Sequence, residues 1–300
     1  KNQTQYKGVI HMEYKRRFGD RSEGRRIRSG NPIDRISPYI MKTRNTSSNF
    51  LRDSVEITPM EQYIHEKRRE GLDDFGILHV FLAAYVRTVS QKPGINRFIG
   101  GQKGFARKNI LVMITVKKEM AADSPDTVIK VEFPATATAA EVYSILNEEI
   151  QKNKQADSNF DDTARLLNYI PGLLMKFVVW LLNLLDYFGL IPQKLLAVSP
   201  FHGSLYITSM GSLGIPPIFH HLYDFGNVPV FCSFGAKRKA MELQPDGSVA
   251  ARKYIDYTFV TDERICDGFY YASALKLIKS YLRSPAALDS PPAQVVPDID

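Results

Sequence analysis

Two carboxylates and an arginine stand close together near the C-terminal end of the chain, in the segment Glu263-Arg264-Ile265-Cys266-Asp267-Gly268. The residues before it, 249–260, have the composition of a strand, and the residues after it, from about Tyr270 to Leu282, that of a helix. The segment is therefore a tight turn between a strand and a helix. Asp267 suits such a turn and is also well placed to cap the helix that follows.

Glu263 is a candidate general base or one half of an ion pair. An exposed glutamate carboxyl titrates near pH 4.3 and is a poor base toward a thiol or an alcohol. Burial in an apolar channel would raise the pKa of such a carboxyl by several units, whereas pairing with Arg264 or an arginine of the N-terminal segment would lower it again. The sequence leaves both roles open.

Three histidines are further candidates for a base, because a neutral imidazole accepts a proton near pH 7. His202 precedes a strand predicted at 204–210, and His220 and His221 follow the turn after that strand. A lone histidine is more often structural, and His202 ranks slightly ahead because it enters the strand that carries Thr208. The sequence has no Cys, His or acidic cluster with metal-ligand spacing and no phosphate-binding Gly-x-x-x-x-Gly-Lys-Ser/Thr loop, so it predicts neither a metal site nor nucleotide hydrolysis.

Helices and strands alternate irregularly along the chain and close with a run of strands. Helices are predicted at 59–70, 75–90, 136–154 and 171–192, besides the C-terminal one. Strands are predicted at 50–57, 110–117, 127–133, 204–210, 228–235, 237–243 and 249–260. A Thr138 to Glu141 capping box opens the third helix, and Pro245-Asp246-Gly247 joins the last two strands as a hairpin. This order indicates an α/β fold in which helices cover a mixed sheet.

The composition is that of a globular domain with a basic beginning. We expect a basic N-terminal arm at 1–32, one domain at 33–283 and a disordered, proline-rich tail at 284–300. The net charge is +7, and much of the excess is early: Lys15, Arg16, Arg17, Arg21, Arg25, Arg26 and Arg28. These cations form a phosphate-binding surface for nucleic acid or coenzyme A, or they belong to a solvated arm or pair with carboxylates on a neighbouring subunit. Acidic residues are interspersed and no aromatic residues interleave, so nucleic acid is not an expected partner.

The most apolar segment is 171–192, PGLLMKFVVWLLNLLDYFGLIP, which a proline and a glycine frame as a helix. Lys176, Asn183 and Asp186 fall on one side of it and interrupt a length that is marginal for a membrane span. The favoured interpretation is a helix buried against the sheet or a neighbouring subunit. The alternatives are the wall of an acyl-chain pocket and a helix at a membrane surface.

Three segments, in order along the chain, resemble one family. The strand, turn and Asp267-Gly268 of 257–270 are similar to the His-x-x-x-Asp-Gly signature of chloramphenicol acetyltransferases and of the dihydrolipoyl acyltransferase cores of 2-oxo-acid dehydrogenase complexes. The segment 203–215, GSLYITSMGSLGI, resembles the family's Gly-x-Phe-x-Ile-Ser-Asn-Leu-Gly-x-x-Gly strand and turn. Residues 81–96 resemble its buried helix and the Asn of its Pro-x-x-Asn segment. The resemblance spans about residues 35–283.

This resemblance implies a two-layer sandwich of mixed sheet and helices, a homotrimer, and active sites between subunits. Coenzyme A thioester and acceptor would enter one channel from opposite ends. The family histidine is the general base, and Glu263 stands in its place. Thr208 falls where the family carries the serine hydroxyl that donates to the oxyanion, and Asp267 falls where an aspartate orients the active-site loop.

Two functions follow from this pattern. The first is an acyltransferase that moves an acyl group from an acyl-coenzyme A or acyl-lipoyl thioester to an unknown small-molecule acceptor, with Glu263, Thr208 and Asp267 as catalytic residues. The second is a catalytically silent homotrimeric scaffold or binding module of the same fold, since the histidine is missing. Cys232 and Cys266 make at most one disulfide, and no apolar signal segment opens the sequence, so a cytoplasmic location is expected.

Overall fold

A six-stranded mixed sheet lies at the centre of the fold. The computed structural model of the protein describes residues 16–117, 126–155 and 170–300. Its strands are β1 (Gly24–Arg26), β2 (Ser48–Glu56), β3 (Phe98–Gly100), β4 (Lys103–Arg107), β5 (Ile110–Lys117), β6 (Asp126–Phe133), β7 (Leu205–Ser209), β8 (Val230–Leu243) and β9 (Val249–Asp262). Its α-helices are α1 (Pro32–Ile40), α2 (Thr58–Arg69), α3 (Ile77–Gln91), α4 (Ala139–Gln155), α5 (Gly172–Phe188), α6 (Gln193–Val198) and α7 (Gly268–Arg283).

The strand order of the large sheet is β2-β9-β8-β7-β5-β6. β7 runs parallel to both of its neighbours, β5 and β8, and the remaining neighbours are antiparallel. The strands β1, β4 and β3 form a separate small antiparallel sheet. The predicted α/β architecture of mixed sheet and helices is therefore confirmed.

The two faces of the large sheet are covered differently. One face packs on helices, because alternate strand residues such as Leu205, Ile207 and Phe259 share a large buried cluster with α3. α3 is apolar around its circumference and buried along almost its whole length, as its sequence predicts. The opposite face carries a much smaller cluster that includes Tyr206 and Phe231. Side chains alternate between faces along a strand, so Thr208 shares this second face with Tyr206.

Local sequence signals place several elements correctly. The Thr138–Glu141 capping box is confirmed: the Thr138 N–H donates to the Glu141 carboxylate at 2.8 Å, and the Glu141 N–H donates to the Thr138 hydroxyl at 3.3 Å. The hairpin between β8 and β9 is also confirmed, with Gly247 at a φ of 82°. The predicted strands 228–235 and 237–243 are one strand, β8, which a bulge between Phe234 and Lys237 interrupts.

The C-terminal segment 284–300, which composition predicts to be disordered, lies against the folded chain instead. A short 3₁₀ turn forms at Pro285–Leu288, and the Val296 N–H donates to the Ser90 carbonyl at 2.8 Å. Asp298 pairs with Arg97, and both of these side chains are largely buried. The prediction considered only the proline-rich composition of the tail, and these arginine and backbone partners lie far away in the sequence.

The N-terminal segment is basic but not wholly irregular, since β1 pairs with β4. Its cations pair with carboxylates of the same chain: Arg17 and Arg25 with Asp300, at 2.8 and 3.1 Å. Arg17 and Arg25 are therefore paired within their own chain, whereas the sequence suggested phosphates, solvent or the carboxylates of a neighbouring subunit as their surroundings.

Candidate functional site

Glu263 lies at the apex of the turn between β9 and α7. Its N–H donates to the Ser47 carbonyl at 2.9 Å, which continues the pairing of β2 and β9 by one more hydrogen bond. The residues on either side, Asp262 and Arg264, are buried, whereas the Glu263 side chain is exposed in the protomer. The turn thus presents the carboxylate away from the body of its own chain.

Arg264 forms a buried ion pair with Asp262. Its Nη2 lies 2.7 Å and its Nε 2.8 Å from the two carboxylate oxygens, and the side chains are 4% and 1% exposed. The Ser47 hydroxyl donates to the same carboxylate at 3.2 Å. Because its guanidinium is turned toward Asp262, Arg264 does not serve as the partner of Glu263, one of the two possibilities that the sequence left open.

Asp267 caps the helix that follows the turn. Its Oδ1 accepts a hydrogen bond from the Tyr270 N–H at 2.7 Å, and its backbone is extended, as an N-cap requires. The turn is also held from the other side, where the Arg97 Nη1 donates to the Ile265 carbonyl at 3.3 Å. The capping role predicted for Asp267 is confirmed, and a catalytic role stays a prediction.

Thr208 lies near the end of β7, half-buried on the second face of the sheet. It pairs in register with Ser233 of β8, which in turn pairs with Thr258 of β9. Because these three residues are opposite each other, their side chains form a polar row across three strands. The row adjoins the aromatic residues Tyr206 and Phe231 of the same face.

Thr208 and Glu263 do not meet within one chain. Thr208 is level with Thr258, and Glu263 follows Thr258 by five residues on a strand two places away. This spacing separates the two by about 17 Å along the strands and about 10 Å across them. If the two residues share a site, the hydroxyl and the carboxylate must therefore come from different copies of the chain.

His202 does not face this site. It is 1% exposed, its Nδ1 lies 2.8 Å from the Ser199 hydroxyl, and its Nε2 lies 3.7 Å from Asp186. Burial alone would raise the pKa of Asp186, but His202 and the guanidinium of Arg21 outweigh that effect and lower it. His202 therefore helps to fasten the end of α5 to the body of the protein.

His220 and His221 lie on the same sheet face as Thr208. The segment that carries them crosses β8, because the Ile218 N–H donates to the Ser233 hydroxyl at 3.2 Å and its carbonyl accepts from the Thr258 hydroxyl at 2.5 Å. Further along, the ring of His220 stacks on Phe231, with centroids 4.2 Å apart and planes at 4°. No local sequence pattern indicates that these histidines share a sheet face with Thr208, because the register of β7 and β8 determines that placement.

The helix α5 exposes the apolar residues that the sequence singled out. None of its residues is buried, and its most exposed large side chains include Leu173, Phe177, Trp180 and Phe188. Asp186 points inward to Arg21 at 3.2 Å. Burial against its own sheet is therefore excluded, since α5 touches the body chiefly at its C-terminal end. In the described part of the chain, no helix is long and apolar enough to cross a membrane.

The described residues, 16–117, 126–155 and 170–300, contain no recognisable metal site. No three His, Cys, Asp or Glu side chains among them are grouped as a metal ion would require. Both cysteines are free and buried, and burial raises the pKa of the Cys232 and Cys266 thiols. Neither thiol is thus prepared to act as a nucleophile.

The sequence matches no protein-family model and no curated protein. The fold of this chain is similar to that of several solved structures. A probable dihydrolipoamide acetyltransferase from Listeria monocytogenes is 16% identical, with a TM-score of 0.55 over 85% of this chain and 93% of that one. The cubic core of a pyruvate dehydrogenase multienzyme complex is 14% identical, with a TM-score of 0.55 over 87% and 93%.

The dihydrolipoamide acetyltransferase of Azotobacter vinelandii is 13% identical, with a TM-score of 0.54 over 87% of this chain and 93% of that one. At these identities the likeness shows the fold alone. It nevertheless extends over nearly the whole of both chains, so the resemblance inferred from the three sequence segments is confirmed at the level of architecture. The chain has the fold of dihydrolipoamide acetyltransferase catalytic domains.

Proposed function

We propose that this protein is an acyltransferase that moves an acyl group from a coenzyme A or lipoyl thioester to a small thiol or alcohol. The observation that carries the proposal is the likeness to dihydrolipoamide acetyltransferases over 85% of the chain, with Thr208 half-buried on the second face of the sheet. The structural neighbours named above are acetyltransferases or a complex core, and acyl transfer is the chemistry common to those described as enzymes.

Thr208 is the proposed oxyanion donor. Attack on a thioester places negative charge on the carbonyl oxygen, and a hydroxyl fixed on a strand stabilises that charge without having to reorganise. The backbone of β7 is held by β5 and β8 on its two sides, which fixes the position of the hydroxyl. The half-buried environment also strengthens the hydrogen bond relative to water.

The proposed site lies between two copies of the chain, in a homotrimer. Within a protomer Thr208 and Glu263 are too far apart to share a substrate, and the second sheet face exposes apolar residues such as Ile215, Ile218 and Phe219. An exposed patch of this kind is typical of a protein interface. One of the similar structures is the cubic core of a multienzyme complex, which supports an oligomeric assembly.

Glu263 of one copy would then complete the channel that contains Thr208 of the next. An exposed carboxylate is a weak base toward a thiol, so Glu263 acts as the base only if the neighbouring copy removes it from water. Asp267, as the cap of α7, would hold the turn that presents Glu263. The exposed carboxylate is also what favours the second candidate function, a silent trimeric scaffold.

The test is thioester turnover by the purified protein. Acetyl-, butyryl- and octanoyl-coenzyme A are each offered with dihydrolipoamide, and the released thiol of coenzyme A is followed. We expect turnover with at least one donor that falls about 100-fold in Thr208→Val, the usual cost of removing one oxyanion donor. Turnover that is unchanged in this variant would remove Thr208 from the mechanism. Absence of both turnover and calorimetric binding would favour the scaffold.

A further inference from the structure

Acyl transfer requires a group that takes the proton of the attacking thiol or alcohol. The residue in the family histidine's place, Glu263, is an exposed carboxylate, whereas an imidazole lies on the same sheet face as Thr208. This imidazole belongs to His220, which stacks on Phe231 of β8 at 4.2 Å. Phe231 in turn stacks on Tyr206 of β7 at 5.2 Å, with the two planes at 4°.

We propose that His220 is the general base of the transfer, a role that rests on the acyltransferase function proposed above. Thr208 follows Tyr206 by two residues on β7, and His220 lies above the neighbouring strand. This places the imidazole on the order of 8–10 Å from the Thr208 hydroxyl. A reacting pair must fit between these two side chains. When the attacking thiol is hydrogen-bonded to the imidazole and the thioester carbonyl oxygen to the hydroxyl, the distance from imidazole to hydroxyl is similar.

The hydrogen bonding of His220 fixes which of its nitrogens is basic. Its Nδ1 lies 2.8 Å from the His221 carbonyl oxygen. A carbonyl can only accept, so Nδ1 carries the proton and Nε2 of the neutral ring keeps its lone pair. The contact therefore selects one tautomer and restrains the ring, while Nε2 remains the nitrogen that can receive a proton from a substrate.

The surroundings of His220 keep the ring neutral. Burial lowers the pKa of His220, and the positive charge of a protonated His221 would lower it further. The hydrogen bond to the His221 carbonyl raises the pKa but does not outweigh these effects. The rings of His221 and Tyr223 lie 4.5 and 5.6 Å away and are the titratable groups in contact with it. At pH 7 the imidazole is thus mostly unprotonated, as a base must be.

The proposed step balances without a further reactant. Nε2 takes the proton from the acceptor thiol, and the sulfur forms a bond to the thioester carbonyl carbon. The electron pair of the C=O bond moves to the oxygen, which accepts a hydrogen bond from Thr208. When the carbonyl reforms, the bond to the sulfur of coenzyme A breaks, and the leaving thiolate takes the proton from the imidazolium. The products are the new thioester and free coenzyme A.

The experiment compares three variants of the full chain with acetyl-coenzyme A and dihydrolipoamide as probes. In His220→Gln we expect kcat to fall at least 100-fold, the usual contribution of a general base. The rise of kcat with pH that reports an imidazole should also disappear. Glu263→Gln tests the competing base: the rise should remain in this variant, and its disappearance there would assign the proton transfer to Glu263 instead of His220. His65→Gln, which changes an exposed histidine on α2, is the matched control.

A second readout covers a variant that folds poorly. Carbethoxylation with diethylpyrocarbonate, followed by mass spectrometry, reports whether the His220 nitrogen reacts in the parent and whether acetyl-coenzyme A slows that reaction at least threefold. Full activity in His220→Gln, or no protection of His220 while the parent turns over, overturns the role of His220 and leaves the transferase standing. Neither turnover nor protection in the parent overturns both proposals.

Discussion

Arg264 and Asp262, the residues on either side of Glu263, form a bidentate ion pair that holds the turn on its buried side. Both side chains are almost fully buried, and their closest contact is 2.7 Å. Removal of one partner leaves an uncompensated charge in the core, which is more costly than the pair itself is favourable. The pair therefore explains why the turn can carry an exposed acid at its apex without losing its shape.

Arg264→Leu is expected to lower the free energy of unfolding by about 3 kcal/mol, because Asp262 is left buried without its charged partner. Urea denaturation followed by circular dichroism measures the change. Glu263→Gln, one position away but exposed, is the control and should shift stability by less than about 0.5 kcal/mol. Equal losses in the two variants would mean that the turn depends on its apex and not on the ion pair.

Thr208→Ser should keep acyl-transfer activity within about tenfold of the parent, because it preserves a hydroxyl on the same carbon. The prediction separates the hydroxyl from the shape of the residue, since Thr208→Val keeps the shape and removes the donor. Ser212→Ala, in the exposed turn that follows β7, is the matched control. Steady-state kcat at saturating thioester is the measurement, and a larger loss in the serine variant than in the valine variant would contradict the assignment.

His79 gives the fold a defined sensitivity to acid. Its Nδ1 accepts from the Gly76 N–H at 3.0 Å at the start of α3, and burial lowers the pKa of His79 from 6.5 to about 4. The unfolded chain therefore binds this proton first as the pH falls. The stabilisation that His79 provides is complete above pH 6.5 and is lost between pH 6.5 and pH 4.

His79→Gln removes that titration. We expect the difference in unfolding free energy between pH 7 and pH 4 to shrink by about 3 kcal/mol in this variant. Over this range the lowered pKa of the folded-state imidazole corresponds to roughly two pH units of proton binding by the unfolded chain alone. Denaturation curves at a series of pH values provide the measurement. The exposed His65→Gln variant should leave the pH dependence as it is in the parent, and a parallel change in both would disprove the assignment to His79.

The sequence predicted the parts of the fold that depend on neighbouring residues. The capping box at Thr138 and the hairpin at Gly247 need only three or four residues, so their signals survive in a single sequence. The placement of His220 on the same sheet face as Thr208 depends on the parallel register of β7 and β8, which links residues that no local pattern connects. The same is true of the tail, whose partner Arg97 stands 201 residues earlier.

Asp298→Asn should detach the C-terminal segment. Asp298 receives hydrogen bonds from Nε and Nη2 of Arg97, whose Nη1 donates to the Ile265 carbonyl behind the Glu263 turn. Loss of the charge should lower stability by about 2 kcal/mol, typical of a hydrogen-bonded charged group. Limited proteolysis should then cut within 284–300 several times faster than in the parent. Gln294→Ala, which changes an exposed side chain earlier in the same segment, is the control, and equal cutting in both would show that Asp298 is not the anchor.

Phe219 provides the test of the interface on which the shared site depends. Its ring meets Phe50 of β2 edge-on at 5.7 Å, and the two side chains are 48% and 58% exposed in the protomer. If the second sheet face is covered by another copy, a carboxylate at this position must be buried without a partner, which opposes assembly. Light scattering should give the parent about three times the 34.0 kDa of one chain, and Phe219→Asp the mass of a monomer. Phe219→Leu keeps an apolar side chain and should remain assembled. A monomeric parent would leave Thr208 and Glu263 in separate places and would remove the shared site.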